Sequence, residues 1–138
     1  MDFYHTLIAS FSMYNKLLMK KLYGTELTLG QPKILNYLKN HAGSTQTEIA
    51  TACFIETASM TSALNGMEAK GLIERRRQNG NKRTYYIYLT PQGEKMCDVI
   101  ATAFEEIRKE IFKNIPKEKS SLFIEIFKEI YEKMLEII

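Results

Sequence analysis

Four of the chain's five arginines, Arg75, Arg76, Arg77 and Arg83, fall within nine residues, with Lys82 beside them and no acid from Arg75 to Arg83. Elsewhere the cation is almost always lysine. A guanidinium is planar, weakly hydrated and matched to phosphate oxygens through paired N–H donors. The local change of cation therefore points to a phosphate or nucleic-acid contact, although charge alone would suit a solvated loop equally well. Just upstream, Thr57, Ser59, Thr61, Ser62 and Asn65 fall in a stretch, residues 54–69, that contains no Lys or Arg. On the outer face of a helix these side chains could enter the major groove of duplex DNA, where hydroxyls donate or accept and an amide can pair with adenine.

Other chemistry is poorly supplied. There is no phosphate-cradling glycine loop, no HExxH and no CxxC, and two histidines leave few candidates for a general base. The expectation is a protein that is not an enzyme, with no catalytic residues, no cofactor and no metal site. Cys53 and Cys97 are read as small core residues rather than redox sensors. The length of 138 residues and 45% hydrophobic content suit one ordinary domain with helical extensions. No run is apolar enough to span a membrane, and Met1-Asp2-Phe3 leads into no signal-like segment, so a cytoplasmic protein is expected.

The elements that must hold the hydroxyl and arginine clusters can be read from periodicity. Phe3, Leu7, Phe11, Tyr14, Leu18 and Leu22 mark a first helix closed by Gly24. Thr28-Leu29-Gly30-Gln31 reads as a capping box for a second helix with Ile34, Leu35 and Leu38 inside, Pro32 falling slightly late for it. Thr45-Gln46-Thr47-Glu48 reads as another box, opening a short helix that stops near Cys53 or Phe54. A helix from about Glu56 to Lys70 follows, with Met60, Ala63, Leu64 and Met67 inward and the polar residues outward. Glu56 suits its N-terminal dipole as a cap. Two helices joined by a tight turn are a helix-turn-helix, here about 45–70.

After Gly71 the period shortens to two. Asn79-Gly80 is a hairpin signal, and the second arm places Tyr85, Ile87 and Leu89 on one face. A hairpin over about 72–89 directly after a helix-turn-helix is a winged helix, and its tip carries most of the arginine. Arg75, Arg76 and Arg77 alternate along a strand, so not all can face one ligand. Thr90-Pro91 caps a further helix with Met96, Ile100, Ala103, Ile107 and Ile111 as its stripe. Beyond Pro116 a last helix aligns Leu122, Ile126, Ile130 and Met134, with Phe123, Phe127 and Tyr131 alongside. The fold class expected is mainly α with a small β-hairpin wing. The terminal helices carry more apolar surface than a lobe of this size covers. They either bury one another or meet a second copy.

Taken together, Leu27-Thr28-x-x-Gln31, Thr45-Gln46-x-Glu48-Ile49-Ala50, Thr61, Met67-Glu68-x-Lys70-Gly71-Leu72-Ile73-x-Arg75, Arg83 and Leu89-Thr90-x-x-Gly93 resemble the MarR family of bacterial transcriptional regulators. The resemblance implies a homodimer on double-stranded DNA, its interlocked terminal helices (1–24 and 95–138) flanking a winged lobe (28–93), two of which meet a pseudo-palindromic operator. It further implies a regulator, expected to be a repressor, that a small-molecule effector could release. The expected DNA-contacting residues are Thr45, Thr57, Ser59, Thr61, Ser62, Asn65, Arg75, Arg77, Lys82 and Arg83, with Arg83 favoured for the minor groove. The expected dimer residues are Phe3, Leu7, Phe11, Leu18, Phe123, Phe127, Ile130 and Met134. Three positions depart from the family pattern. Asn81 stands where the wing usually has Asp, Ser62 stands where an arginine commonly follows Thr61, and Gly66 interrupts the reading helix at a cost of about 1 kcal/mol relative to Ala. A winged helix that had become a protein-interaction module is the rival reading.

Overall fold

A computed structural model describes residues 1–78 and 80–138; the Asn79 half of the Asn79-Gly80 signal lies outside them. The chain forms two compact units, Met1–Phe104 and Glu105–Ile138. Its fold is mainly helical with a small antiparallel sheet.

In the first unit, α1 (Phe3–Lys21) starts at Asp2, whose carboxylate accepts from the His5 N–H at 2.7 Å. Its first turns leave Phe3 and Phe11 exposed, whereas Leu18, with the following Leu22, is buried. Leu18 was expected to face a partner; it instead packs inside its own unit, because the helix enters the core at that end. Next, α2 (Gln31–Leu38) starts from Gly30 at φ 98°, with Pro32 in the first turn where its missing N–H costs nothing. The reciprocal box expected at Thr28 is only half made. Gln31 Oε1 accepts the Thr28 N–H at 3.0 Å, but no side chain caps the helix.

A two-residue strand, β1 (Ser44–Thr45), leads directly into α3 (Gln46–Cys53). The Thr45 box is complete: Thr45 Oγ1 accepts the Glu48 N–H at 3.2 Å, and Glu48 Oε1 accepts the Thr45 N–H at 3.2 Å. Phe54 ends α3 in the left-handed region, φ 56°, and α4 (Thr57–Ala69) follows. Its N-cap is Glu56, whose side chain makes no capping hydrogen bond, so its contribution is charge against the helix dipole.

The sheet order is β1-β3-β2, with β2 at Ile73–Arg76 and β3 at Tyr86–Leu89. Ile73 pairs with Leu89 and Arg76 with Tyr86, both antiparallel. The expected second arm is thus shorter than its pattern. Ile87 is fully buried and Leu89 half-buried, but Tyr85 precedes the strand and is exposed. Thr90 then joins wing to helix. Its hydroxyl donates to the Gly71 carbonyl at 2.6 Å and accepts the Gly93 N–H at 3.0 Å, opening α5 (Pro91–Ile111). Packing here is close enough that a Cβ at position 93 would sit 2.0 Å from the Leu72 carbonyl oxygen, which explains the glycine.

The core of the first unit gathers Ile34, Leu35, Leu38, Ile49, Met60 and Leu64, all at 0% exposure, with Met67, Leu72, Ile73, Ile87 and Ile100. Both cysteines are buried in it. Burial pushes the Cys53 and Cys97 thiols above their usual range, against smaller opposing effects of Lys33 and Lys39.

The second unit contains the end of α5 and α6 (Lys117–Ile137), which buries no residue at all. Phe123 lies 5.3 Å from Phe127 and 6.5 Å from Phe112, centroid to centroid, so an aromatic cluster sits on a face that remains uncovered. Among the described residues no helix is long and apolar enough to cross a membrane, and no group of three or more His, Cys, Asp or Glu could hold a metal ion.

Candidate nucleic-acid interface

The outer face of α4 emerges as its periodicity requires. Thr57, Ser59, Thr61, Ser62 and Asn65 are all exposed, while Met60, Leu64 and Met67 are fully buried on the opposite side. Two contacts from neighbouring elements fix parts of this face. Gln46, the first residue of α3, donates from Nε2 to Thr61 Oγ1 at 2.9 Å. Arg75 on β2 donates from its guanidinium to Asn65 Oδ1 at 2.8 Å and lies 3.9 Å from the Glu68 carboxylate. A bidentate pairing of Asn65 with adenine would have to compete with Arg75 for that oxygen. Arg75 therefore works as a strut between wing and helix.

Behind α4 sits Gln31, only 3% exposed. Its Oε1 accepts from Lys70 Nζ at 3.2 Å as well as from the Thr28 N–H, and its Nε2 reaches the Ala63 carbonyl at 3.5 Å. Lys70 Nζ also donates to the Glu26 carbonyl. A Cβ at position 66 would lie 3.0 Å from Gln31 Nε2. Gly66 is thus the gap through which a buried amide reaches the helix, and the intrinsic cost of glycine is set against that seat.

Along the wing the cations separate into two groups. Arg76 pairs with Glu74 and stacks over Tyr88 at 4.1 Å, so its charge is largely answered within the sheet. Arg77 donates to Tyr85 Oη at 2.8 Å with its guanidinium 4.8 Å from the ring centroid, yet stays exposed. Lys82 and Arg83 are exposed in the loop between the strands, and among the described residues neither side chain makes a hydrogen bond, ion pair or ring contact. Asn81 shapes that loop. Its Oδ1 accepts the backbone N–H of Arg83 at 3.0 Å and of Thr84 at 3.2 Å, an Asx-type turn. The amide acts on the backbone that presents Arg83, not on the guanidinium.

Thr45 is engaged locally. Besides capping α3, its hydroxyl donates to Glu48 Oε1 at 3.0 Å, so its hydrogen and one of its two lone pairs are occupied. Two residues with a part in the site, Gln46 and Gln31, are legible in the sequence only as members of capping boxes and of the family pattern, not as site residues. Their partners lie 15 and 32 to 39 positions away, beyond the reach of any local period.

An exposed helix face without cations, backed by a helix-turn-helix and flanked by a basic β-loop, defines a winged helix-turn-helix protein built for duplex DNA. Residues 25–84 match the model of the MarR family. The transcriptional regulator HosA of Escherichia coli O157:H7 is 23% identical over 105 residues, 76% of this chain and 78% of that protein. A MarR transcriptional regulator from Methanosarcina mazei Go1 has the same fold, with a TM-score of 0.89 at 20% identity over 99% of both chains. Streptococcus pneumoniae FabT, solved in complex with DNA, superimposes with a TM-score of 0.77 at 17% identity, covering 99% of this chain and 100% of that one. Over residues 25–84 the chain thus carries the MarR-family winged helix, and it is similar to DNA-binding transcriptional regulators of that family.

Proposed function

We propose that the protein acts in the cytoplasm as a homodimeric repressor that lays two copies of this interface on a pseudo-palindromic operator. The observation that carries the DNA-contact reading is the pairing of an uncharged, exposed α4 face with a wing loop whose two cationic side chains, Lys82 and Arg83, make no hydrogen bond, ion pair or ring contact among the described residues. In this reading Thr57, Ser59, Thr61, Ser62 and Asn65 face the major groove, Arg77 and Lys82 meet phosphates, and Arg83 enters the minor groove. Thr45 and Arg75 contribute chiefly by holding α3 and α4. The dimer is supported by apolar side chains that each unit leaves open by itself. These include Phe3 at 59% and Phe11 at 66% on α1, and Phe123 at 53%, Phe127 at 41% and Met134 at 41% on α6. Leu7 and Ile130 are half-buried at the margins of these faces. A self-complementary contact between two copies is the ordinary fate of such faces.

Control by a small molecule belongs to the same proposal. A cleft of about 380 Å³ lined by residues including Tyr37, His41, Cys53 and Phe54 opens beside the turn that starts α4. A compound that lowers DNA affinity through it should lose that effect in Phe54→Ala.

Binding to duplexes selected from a random pool, followed across salt concentrations, tests the reading. Affinity should fall steeply, each phosphate contact adding about 0.9 to the log–log slope. No detectable duplex binding at low salt would leave the protein-interaction module instead. Sedimentation showing only monomer at micromolar concentration would remove the symmetric operator.

A further inference from the structure

We infer that the reading face of α4 is biased toward hydrogen-bond donation by two residues outside that helix, Gln46 and Arg75, and that it selects base edges rich in acceptors, guanine above all. The inference rests on the DNA-contact reading just given.

A threonine hydroxyl has one hydrogen and two lone pairs, and unaided it donates or accepts with little preference. At Thr61 that symmetry is broken. Gln46 Nε2 directs an N–H into one lone pair at 2.9 Å. The hydroxyl hydrogen cannot turn toward that donor, so it remains on the outward side. The bond also polarises the O–H and strengthens it as a donor. Gln46 is well placed for this task, since the preceding Thr45 and Glu48 lock the start of α3 in a complete capping box. One turn further along the same face, Asn65 receives the Arg75 guanidinium on its amide oxygen at 2.8 Å. A charged donor draws that oxygen inward and leaves the two amide hydrogens facing out. Both side chains are exposed. The helix carries no Lys or Arg between residues 54 and 69, so these neutral groups are its outward donors together with the serine and threonine hydroxyls around them.

In the major groove, guanine offers two adjacent acceptors, N7 and O6. Cytosine offers a donor, and adenine offers one of each. A face whose outward hydrogens are fixed by its supports matches guanine best and cytosine worst.

The experiment is duplex selection from a random pool with four proteins: wild type, Thr61→Val, Gln46→Glu and Gln46→Leu. Thr61→Val removes the hydroxyl while keeping the shape, and the operator position that loses its preference is the one Thr61 reads. Guanine is expected there in the wild type, favoured about fivefold over cytosine, the scale of one net hydrogen bond. Gln46→Glu replaces the donor by a carboxylate that captures the Thr61 hydrogen and turns lone pairs outward. That single position should move toward cytosine or adenine, while the added negative charge weakens all sequences alike. Gln46→Leu should flatten the preference there and spare the rest. The inference is overturned if the wild type selects cytosine at that position, or if the Gln46 variants keep the wild-type base there. A wild type that enriches no sequence would instead overturn the DNA-contact reading beneath it. Gln46 is part-exposed and its variants should fold; matching far-ultraviolet dichroism with the wild type checks that before selection.

Discussion

The lobe and the last helix use comparable proportions of apolar residues to opposite ends. Across Gln31 to Ile100 the chain encloses an apolar core, seats a buried glutamine with three partners, and leaves no buried side-chain polar atom unsatisfied among the described residues. Helix α6 has an equally regular stripe and buries nothing. Periodicity says that a face is apolar; it does not say which surface will cover it. Substitutions in the lobe should therefore act on the stability of one chain, and substitutions on α6 should act through protein concentration.

The sharpest test of the closed lobe is Gly93→Ala. Its new methyl would meet a carbonyl, not a yielding side chain, so a loss of about 3 kcal/mol or more is expected in denaturant melts, independent of concentration. The open face is tested by Phe127→Asp. Dimerisation measured by sedimentation should weaken by about 2–3 kcal/mol, the range of a central aromatic contact, while far-ultraviolet dichroism stays unchanged. A variant as dimeric as wild type would mean that α6 is covered in some other way. Third comes the wing loop. Arg83→Ala should lower operator affinity by about 1–3 kcal/mol and reduce the salt slope, with no change in melting. Arg76→Ala, already answered by Glu74 and Tyr88, should change DNA affinity far less, and an equal loss would contradict the division of the wing cations.

The smallest effect carries a change of sign. Gly66→Ala should destabilise the wild type by about 1 kcal/mol, because Gln31 is held too firmly to retreat. In a Gln31→Ala background the same change should stabilise by about 1 kcal/mol, the ordinary helix preference for alanine. Additive effects would remove the argument for a seated amide.

Much of this architecture was legible before any coordinates. Thr45-x-x-Glu48 and Thr90-Pro91 mark helix starts through hydrogen bonds made within four residues, and such signals survive folding. The inward and outward faces of α4 followed from a period of 3.6. What could not be read were contacts made across the fold. Strand β1 is two residues long, too short for any alternation, and exists because Ser44 and Thr45 lie beside Ile87 and Tyr86. Gly66 looked like a defect until Gln31 arrived from another helix. Leu18 belonged to the stripe of α1 but turned inward where that helix meets the core. The candidate site divided in the same way: residue types announced the hydroxyl face and the arginine loop, but only packing separates Arg75 and Arg76, each beside a carboxylate, from Arg77 and Arg83, which have none among the described residues.

Asn81 holds its turn through a neutral oxygen. An aspartate could make the same turn, but its carboxylate would cancel one of the two positive charges next to it. With the amide, a wing docked as proposed would present Lys82 and Arg83 to the polyanion at full strength and would release about two counterions rather than about one. The loop's geometry is also indifferent to acidity, since an amide does not titrate. The protein should approach its operator under a longer-range pull, fastest in dilute buffer, than an aspartate-tipped wing would give it.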